Sequence, residues 1–260
     1  MMQEEDNNNS ILVEINLNES QKKKKTIKKK VNHECLLKYY TEDLNIIEIA
    51  TDEVGRGPLF GRVYAAAVIL PKDGDFIHLL MKDSKKFTSQ KKIQEVSDYI
   101  KENAIAWHIH YEDEKTIDNI NILQASQQAM RVCIIKLIQK VSDSFINAND
   151  KLPIKLLIDG DYFNPLLFFN KSSQKMENIN FECIKGGDNK YSSIAAASII
   201  AKVARDKYIQ DLCIEYPYLI ERYSLDSNKG YGSKKHIDGI KKYGITEWHR
   251  KTFGICKLHI

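Results

Sequence analysis

Nowhere in this 260-residue chain do about eighteen apolar residues run together, so no segment is a candidate for a membrane-spanning helix. The opening stretch MMQEEDNNNSILVEINLNES is acidic and lacks the basic start and long apolar core of a secretory signal. An intracellular, cytoplasmic protein with no membrane role is the expectation. Cysteine is sparse: Cys35, Cys133, Cys183, Cys213 and Cys256 are odd in number, scattered, and never spaced Cys-x-x-Cys. That pattern suggests neither a disulfide framework nor a zinc site. A strong excess of one charge is also missing from the body. The net +4 is uneven, because residues 1–20 carry five acids and no base while residues 21–30 carry seven lysines and no acid, leaving +2 for residues 31–260. Affinity for nucleic acid would have to come from local patches.

What is present fits one domain with appendages, since 43% hydrophobic content over this length buries one substantial core. Residues 1–32 are polar, Asn-rich and then Lys-rich, with too little apolar surface to offset the entropy of ordering. They are expected to be a disordered tail. Its KKKKTIKKK run reads as a solvated charge block, with a localisation signal or nucleic-acid tether as the alternatives. Residues 33–211 are assigned to one main domain and residues 212–260 to a helical C-terminal extension.

Five β-branched runs are candidate strands: residues 46–51, 63–70, 104–111, 154–158 and 179–184. Between the third and fourth, Ile122, Ala125, Ala129, Cys133, Leu137, Val141 and Phe145 recur every three or four residues and form one face of a long helix. A shorter helix, capped by Thr88 or Ser89, joins the second and third strands, and SSIAAASIIAKVARDKYI at 192–209 is a third. The first two strands are joined too briefly for a crossover helix and must form a hairpin. The fold class is therefore α/β with a mixed five-stranded sheet.

Asp52 and Glu53 follow the first strand, Asp159 follows the fourth, and Asp188 lies between the fifth strand and the next helix. Strand ends in α/β sheets gather functional loops, so these acids can converge although they are distant in sequence. Crowded carboxylates are costly unless a cation sits among them, and hard oxygen ligands suit Mg²⁺ or Mn²⁺. Each acid taken alone is also a common turn or helix-cap residue, and Asp188 could merely cap the helix beginning near Ser192.

Seven segments occurring in order carry a resemblance: DEVGRGPLFGRVYAAAVIL from Asp52, DSKKFTSQKK at 83–92, NILQAS at 121–126, IDG at 158–160, GGDNKYSSIAAASIIAKVARD at 186–206, KGYGSKKH at 229–236 and HRKTF at 249–253. Together they resemble ribonuclease HII, the type 2 ribonucleases H. The resemblance implies the ribonuclease H-like fold and a metal-dependent endonuclease with a two-metal site. Its substrates would be the RNA strand of RNA:DNA hybrids and single ribonucleotides embedded in duplex DNA, nicked on the 5′ side to leave 5′-phosphate and 3′-OH ends. Removal of ribonucleotides from DNA and of RNA primers follows as the expected role. The acidic quartet falls on Asp52, Glu53, Asp159 and Asp188, with Asp52 and Asp188 as bridging or direct ligands. The backbone of Gly55, Arg56 and Gly57 would read the 2′-OH, and Tyr231 would pack on the following sugar. Since backbone freedom then matters more than the Arg56 side chain, Gly57→Val is expected to be more damaging than Arg56→Ala.

Phe60, Arg62 and Tyr64 depart from the family pattern, and NPLLFFNKSSQKMEN at 164–178 is drawn as an inserted loop. Lys85, Lys86, Lys190, Lys202 and Arg205 are candidates for phosphate contacts, against the ordinary solubilising role of exposed basic residues. His108, His110, His236 and His249 are assigned structural roles. The chain is expected to act as a monomer, with a replication clamp docking to its tails left open. A type 3 ribonuclease H, or a non-catalytic nucleic-acid-binding relative, are the competing identities. If residues 1–32 are a flexible charged tail, deleting them leaves the cleavage position unchanged and weakens substrate affinity only at low salt, as binding isotherms over a salt series would show.

Overall fold

The second strand shows how the sheet is covered: every residue of Val63–Ile69, VYAAAVI, is buried. A strand buried on both faces needs an element on each side. The computed structural model describes residues 35–72, 74–144, 153–170 and 174–259. The expected tail over 1–32 and Phe145 lie outside the described residues. In chain order the strands are β1 Ile47–Val54, β2 Val63–Ile69, β3 Ala106–Glu112, β4 Ile154–Asp159, β5 Leu167–Asn170, β6 Lys175–Asn178 and β7 Asn180–Ile184. The α-helices are α1 Gln90–Asn103, α2 Glu114–Ser144, α3 Ser192–Glu215, α4 Tyr218–Tyr223, α5 Leu225–Asn228 and α6 Lys234–Tyr243.

The main sheet has the order β3-β2-β1-β4-β7. β1 is antiparallel to β2, which is antiparallel to β3, whereas β1 and β4, and β4 and β7, are parallel. This is the mixed five-stranded sheet expected. On one face, Ala65, Ala67 and Ile69 meet Ala129, Cys133, Leu137 and Val141 of α2. On the other, Ala66 and Val68 meet Ala196, Ile199, Ile200 and Val203 of α3, with Ile93 and Ile100 of α1 beside them. The alanines on both partners let the α3 backbone lie close against the sheet. Ser89 caps α1 by accepting from the Lys92 N–H at 3.4 Å.

α2 bends at Asn121, whose φ of 65° and ψ of 163° are not helical. Its side-chain oxygen accepts from the N–H groups of Leu123 (3.0 Å) and Gln124 (3.2 Å), so Asn121 caps the longer segment that follows. The expected inserted loop over 164–178 is in part a hairpin. β5 and β6 form a separate antiparallel pair in which Phe169 faces Met176. Leu167, Phe169 and Met176 stay more than half exposed. Four-residue strands that bury little are stabilised by cross-strand pairing rather than by a core, and they leave no strong periodic signal in the sequence.

α3 runs on past residue 211, and Ile209, Leu212 and Cys213 from its last turns pack with Leu219, Tyr223, Leu225, Ile240 and Cys256. Phe60 from the β1–β2 connection is fully buried in the same cluster, its ring edge-on to His249 at 5.0 Å. The large residue at position 60 thus ties the glycine loop to the C-terminal segment. Among the described residues, no helix is long and apolar enough to cross a membrane.

Candidate active site

β1 and β4 run parallel with Thr51 opposite Ile158, which places the next residues, Asp52 and Asp159, side by side at the same end of the sheet. β7 delivers the third element. After Ile184 the chain turns through Gly186, left-handed at φ 64°, into a single 3-10 turn, Gly187–Asn189, that carries Asp188. The Gly187 N–H donates to Asp159 Oδ1 at 2.6 Å, joining the two acidic loops directly. Tyr191, at the N-cap of α3, makes no side-chain cap hydrogen bond, and Asp188 Oδ1 instead accepts from the Asn189 side chain at 3.2 Å. Asp188 is thus not spent on capping it.

The four carboxyl groups act on one another. Burial, followed by the charges of Glu53, Asp159 and Asp188, holds the Asp52 carboxyl well above the ordinary carboxylate range, against an opposing hydrogen bond from Ser198. Burial also raises Glu53, opposed by Arg56, whose Nη1 lies 3.2 Å from Glu53 Oε1, and reinforced by Asp159. Asp188 is raised by burial, Asp159 and Asp83, with Lys85 opposing. Burial alone would lower the Lys85 ammonium, yet Asp188, Asp83, Asp52 and Asp159 together hold it above its usual value. Lys85 is therefore an exposed cation within electrostatic reach of the cluster, carried by a segment fastened to it. Asn189 donates to Asp83 at 3.2 Å, Lys86 donates to Asn189 Oδ1 at 2.5 Å, and Ser84 Oγ lies 3.0 Å from Ser198 Oγ.

As the side chains stand, no group of three or more His, Cys, Asp or Glu among the described residues is gathered tightly enough to hold a metal ion. Asp52 accepts from the Glu53 N–H at 2.7 Å, and Glu53, Asp159 and Asp188 are likewise engaged by Arg56, Gly187 and Asn189. The donor set nonetheless fits a hard divalent cation. It is all oxygen, and its charge repulsion is of the kind such an ion relieves.

Beside the acids lies the Gly55-Arg56-Gly57 loop. Gly55 has φ +93°, and a Cβ there would lie 2.4 Å from Arg205 Nε, so only glycine fits. Gly57 is different: a Cβ there would stand 3.7 Å from Tyr231 Cε1, an ordinary contact. Within the folded chain it is thus Gly55 whose own surroundings exclude a side chain. The same distance brings Tyr231, half-exposed, against the loop. Beneath both lies buried Arg250, donating to the carbonyls of Gly55 (2.6 Å), Arg56 (2.9 Å) and Gly61 (2.8 Å). Burial and nearby Arg205 push its pKa down to about 9, which leaves it charged at neutral pH.

The chain's similarity to known proteins agrees with this geometry. The Ribonuclease HII family pattern matches residues 49–256. A ribonuclease HII of Pelagibacter ubique is 45% identical over 202 residues, 78% of this chain and 92% of that protein. One from Bacteroides thetaiotaomicron is 42% identical over 220 residues, 85% of this chain and 94% of that protein. The chain belongs to the ribonuclease HII family. It is a nuclease, a hydrolase of phosphodiester bonds. Among solved structures, the ribonuclease HII of Archaeoglobus fulgidus, determined as a PCNA:RNase HII complex, shares the fold at TM-score 0.57 and 21% identity, over 80% of this chain and 96% of that one.

Within this family frame, Arg205 needs correction as a surface phosphate contact. It is 1% exposed, its Nη2 donates to the Lys229 carbonyl at 2.8 Å, and its guanidinium lies 5.7 Å from the Tyr231 ring centre. Lys202 is paired with Asp206 at 2.8 Å, whereas Lys85, Lys86 and Lys190 are exposed. His236 and His249 are buried, and His108 and His110 lie on β3, with β2 between them and β1. Arg62 lies between the rings of Tyr111 and Tyr208, 4.0 and 4.4 Å from their centres. Sequence reasoning did not single out Arg250, Ser198 or Asn189. Arg250 stood in the quoted HRKTF segment, but a buried arginine that serves carbonyls 189 to 195 residues away leaves no local signature.

The folded Asp52 carboxyl titrates above its unfolded value, so between those two values the native state holds more protons than the unfolded chain and stability falls as pH rises. Asp52→Asn removes that buried charge. The variant is expected to melt higher than the parent at pH 7 to 8 in metal-free buffer and to lose this advantage towards pH 3, as thermal melts over a pH series would show.

Proposed function

We propose that this chain cleaves the RNA strand of RNA:DNA hybrids and nicks duplex DNA on the 5′ side of single embedded ribonucleotides, leaving 5′-phosphate and 3′-OH ends. Its role would be the removal of misincorporated ribonucleotides and RNA primers. The observation that carries this reading is the juxtaposition of four mutually repelling carboxyl groups with a backbone loop that admits no side chain at Gly55. The first suits phosphodiester hydrolysis; the second suits a close approach to a sugar.

Asp52, Glu53, Asp159 and Asp188 would hold Mg²⁺ or Mn²⁺, which supplies an activated water and stabilises the departing 3′ oxygen. The chain's own residues do the rest. Lys85, within electrostatic reach of the acids, is placed to neutralise the phosphate that approaches them. Because a trans peptide directs its C=O and N–H to opposite sides, the Gly55 and Arg56 carbonyls bound by Arg250 leave the N–H groups of Arg56 and Gly57 directed away from it. Those donors can engage a 2′-OH, which DNA sugars lack. Tyr231, beside Gly57 and half-exposed, offers a ring for the next sugar. All of these groups come from one chain, and the active form is a monomer.

Cleavage-site mapping on a DNA duplex with one ribonucleotide tests the reading, with an all-DNA duplex as control. The first should be nicked 5′ of the ribonucleotide and the second ignored, by on the order of 10⁴-fold. Asp159→Asn should fold and bind substrate but retain less than about a tenth of the turnover, a barrier change above roughly 1.4 kcal/mol.

The glycines separate in the same assay. Gly55→Ala meets Arg205 and an unfavourable φ, so it should cost on the order of a hundredfold or more in single-ribonucleotide cleavage. Gly57→Ala should stay within roughly tenfold of the parent. Equal losses at both positions would contradict the role assigned to Gly55.

A further inference from the structure

The segment that holds the proposed ribose-reading elements together contains a buried pair of histidines whose protons the geometry defines. His249 Nδ1 lies 2.9 Å from the Thr246 N–H, which can only donate, so this nitrogen is unprotonated and the ring proton is on Nε2. His236 Nδ1 lies 2.9 Å from the Tyr231 carbonyl, which can only accept, so here the proton is on Nδ1. The two Nε2 atoms are 3.1 Å apart. His249 Nε2–H therefore donates to the lone pair of His236 Nε2. One directed relay runs from the Thr246 amide through both rings to the main chain of Tyr231.

The packing suits a neutral pair. Both rings are buried at 0% and 1% exposure, walled by Phe60 and Tyr223, whose centres are each 5.0 Å from His249. Burial and His236 hold His249 down to about 3, and burial lowers His236 as well. A second proton on either ring would set two N–H groups against each other.

The next residue after His249 is Arg250, which grips the carbonyls of Gly55, Arg56 and Gly61. Its own N–H donates to Leu59 O at 2.9 Å, and the Leu59 N–H donates to Gly230 O at 2.9 Å. Two adjacent residues thus reach the two loops separately: His249 through His236 to Tyr231, and Arg250 directly to Gly55 and Arg56. We propose that His236, His249 and Arg250 are positioning residues that set Tyr231 against the Gly55-Arg56-Gly57 loop, and so govern the preference for a single ribonucleotide, whose following sugar beside Tyr231 is a deoxyribose, over a continuous RNA strand, rather than the hydrolytic step. The inference rests on the reading that these two loops recognise the ribonucleotide.

The test compares His236→Asn, which keeps a donor near the Nδ1 position, with His236→Leu, which has none. For each, kcat/KM is measured on the single-ribonucleotide duplex and on a uniform RNA:DNA hybrid, with thermal melts to establish folding. The ratio of the two values should fall at least about tenfold in His236→Leu and stay within about threefold of wild type in His236→Asn. A folded His236→Leu protein with the wild-type ratio overturns the proposal, as does an equal fall in both variants. Nitrogen NMR of the wild-type rings needs no variant. It should show His249 protonated at Nε2 only and His236 at Nδ1 only near pH 7, and any other arrangement overturns the relay. Failure of wild type to nick the single-ribonucleotide duplex would instead count against the functional reading, leaving the ring tautomers as an independent result.

Discussion

Carboxyl groups crowded at the ends of adjacent parallel strands repel one another, and much of the surrounding structure answers that repulsion. Asp52 and Asp159 are neighbours because β1 and β4 are in register, and Asp188 joins them because the Gly187 amide is hydrogen-bonded to Asp159. Stability alone would not select this arrangement: burial and mutual charge raise three of the four groups. The Lys85 segment, Ser198 and Arg56 each return part of the lost stabilisation. A rigid sheet covered on both faces by α2 and α3 bears the remainder.

The second half of the site is built on a different principle. Main-chain groups recognise a ligand only if the backbone is held in one conformation, and a short glycine-bearing loop has little rigidity of its own. Here the rigidity comes from below. Arg250 binds three carbonyls, Arg205 fills the space beside Gly55, and Phe60 anchors the connection in the C-terminal cluster. Buried guanidinium groups suit this task because their planar donors can serve several carbonyls at once. The exposed Tyr231 ring rests on the same support, which explains why the C-terminal segment is packed onto the last turns of α3.

Some of this was legible in the residues. Alternating apolar runs located the five strands of the main sheet to within a few residues, and helical periodicity located α2 from Ile122 onward. Asn121, where the helix bends, opens the quoted NILQAS segment, but a bend made by one residue in a left-handed conformation is not visible in a hydrophobic pattern. The β5–β6 hairpin escaped notice because its strands are short and its apolar residues exposed. Arg205 was misread for a related reason: a basic residue on a helix looks solvent-facing until a loop from elsewhere covers it.

Local sequence determined the strands of the main sheet and its covering helices, because strand and helix propensity and apolar periodicity are properties of neighbouring residues, and the collinear motifs of the family resemblance marked the four acids as candidates. It also marked a glycine loop and a tyrosine as candidates. Tertiary structure decided which glycine cannot carry a side chain, which basic residues lie near the acids and which are buried supports, and how His236, His249 and Arg250 join the glycine loop to the distant Tyr231 loop. These are outcomes of packing between distant segments, where a single hydrogen bond or close contact depends on the positions of several elements at once, and no short stretch of sequence encodes them.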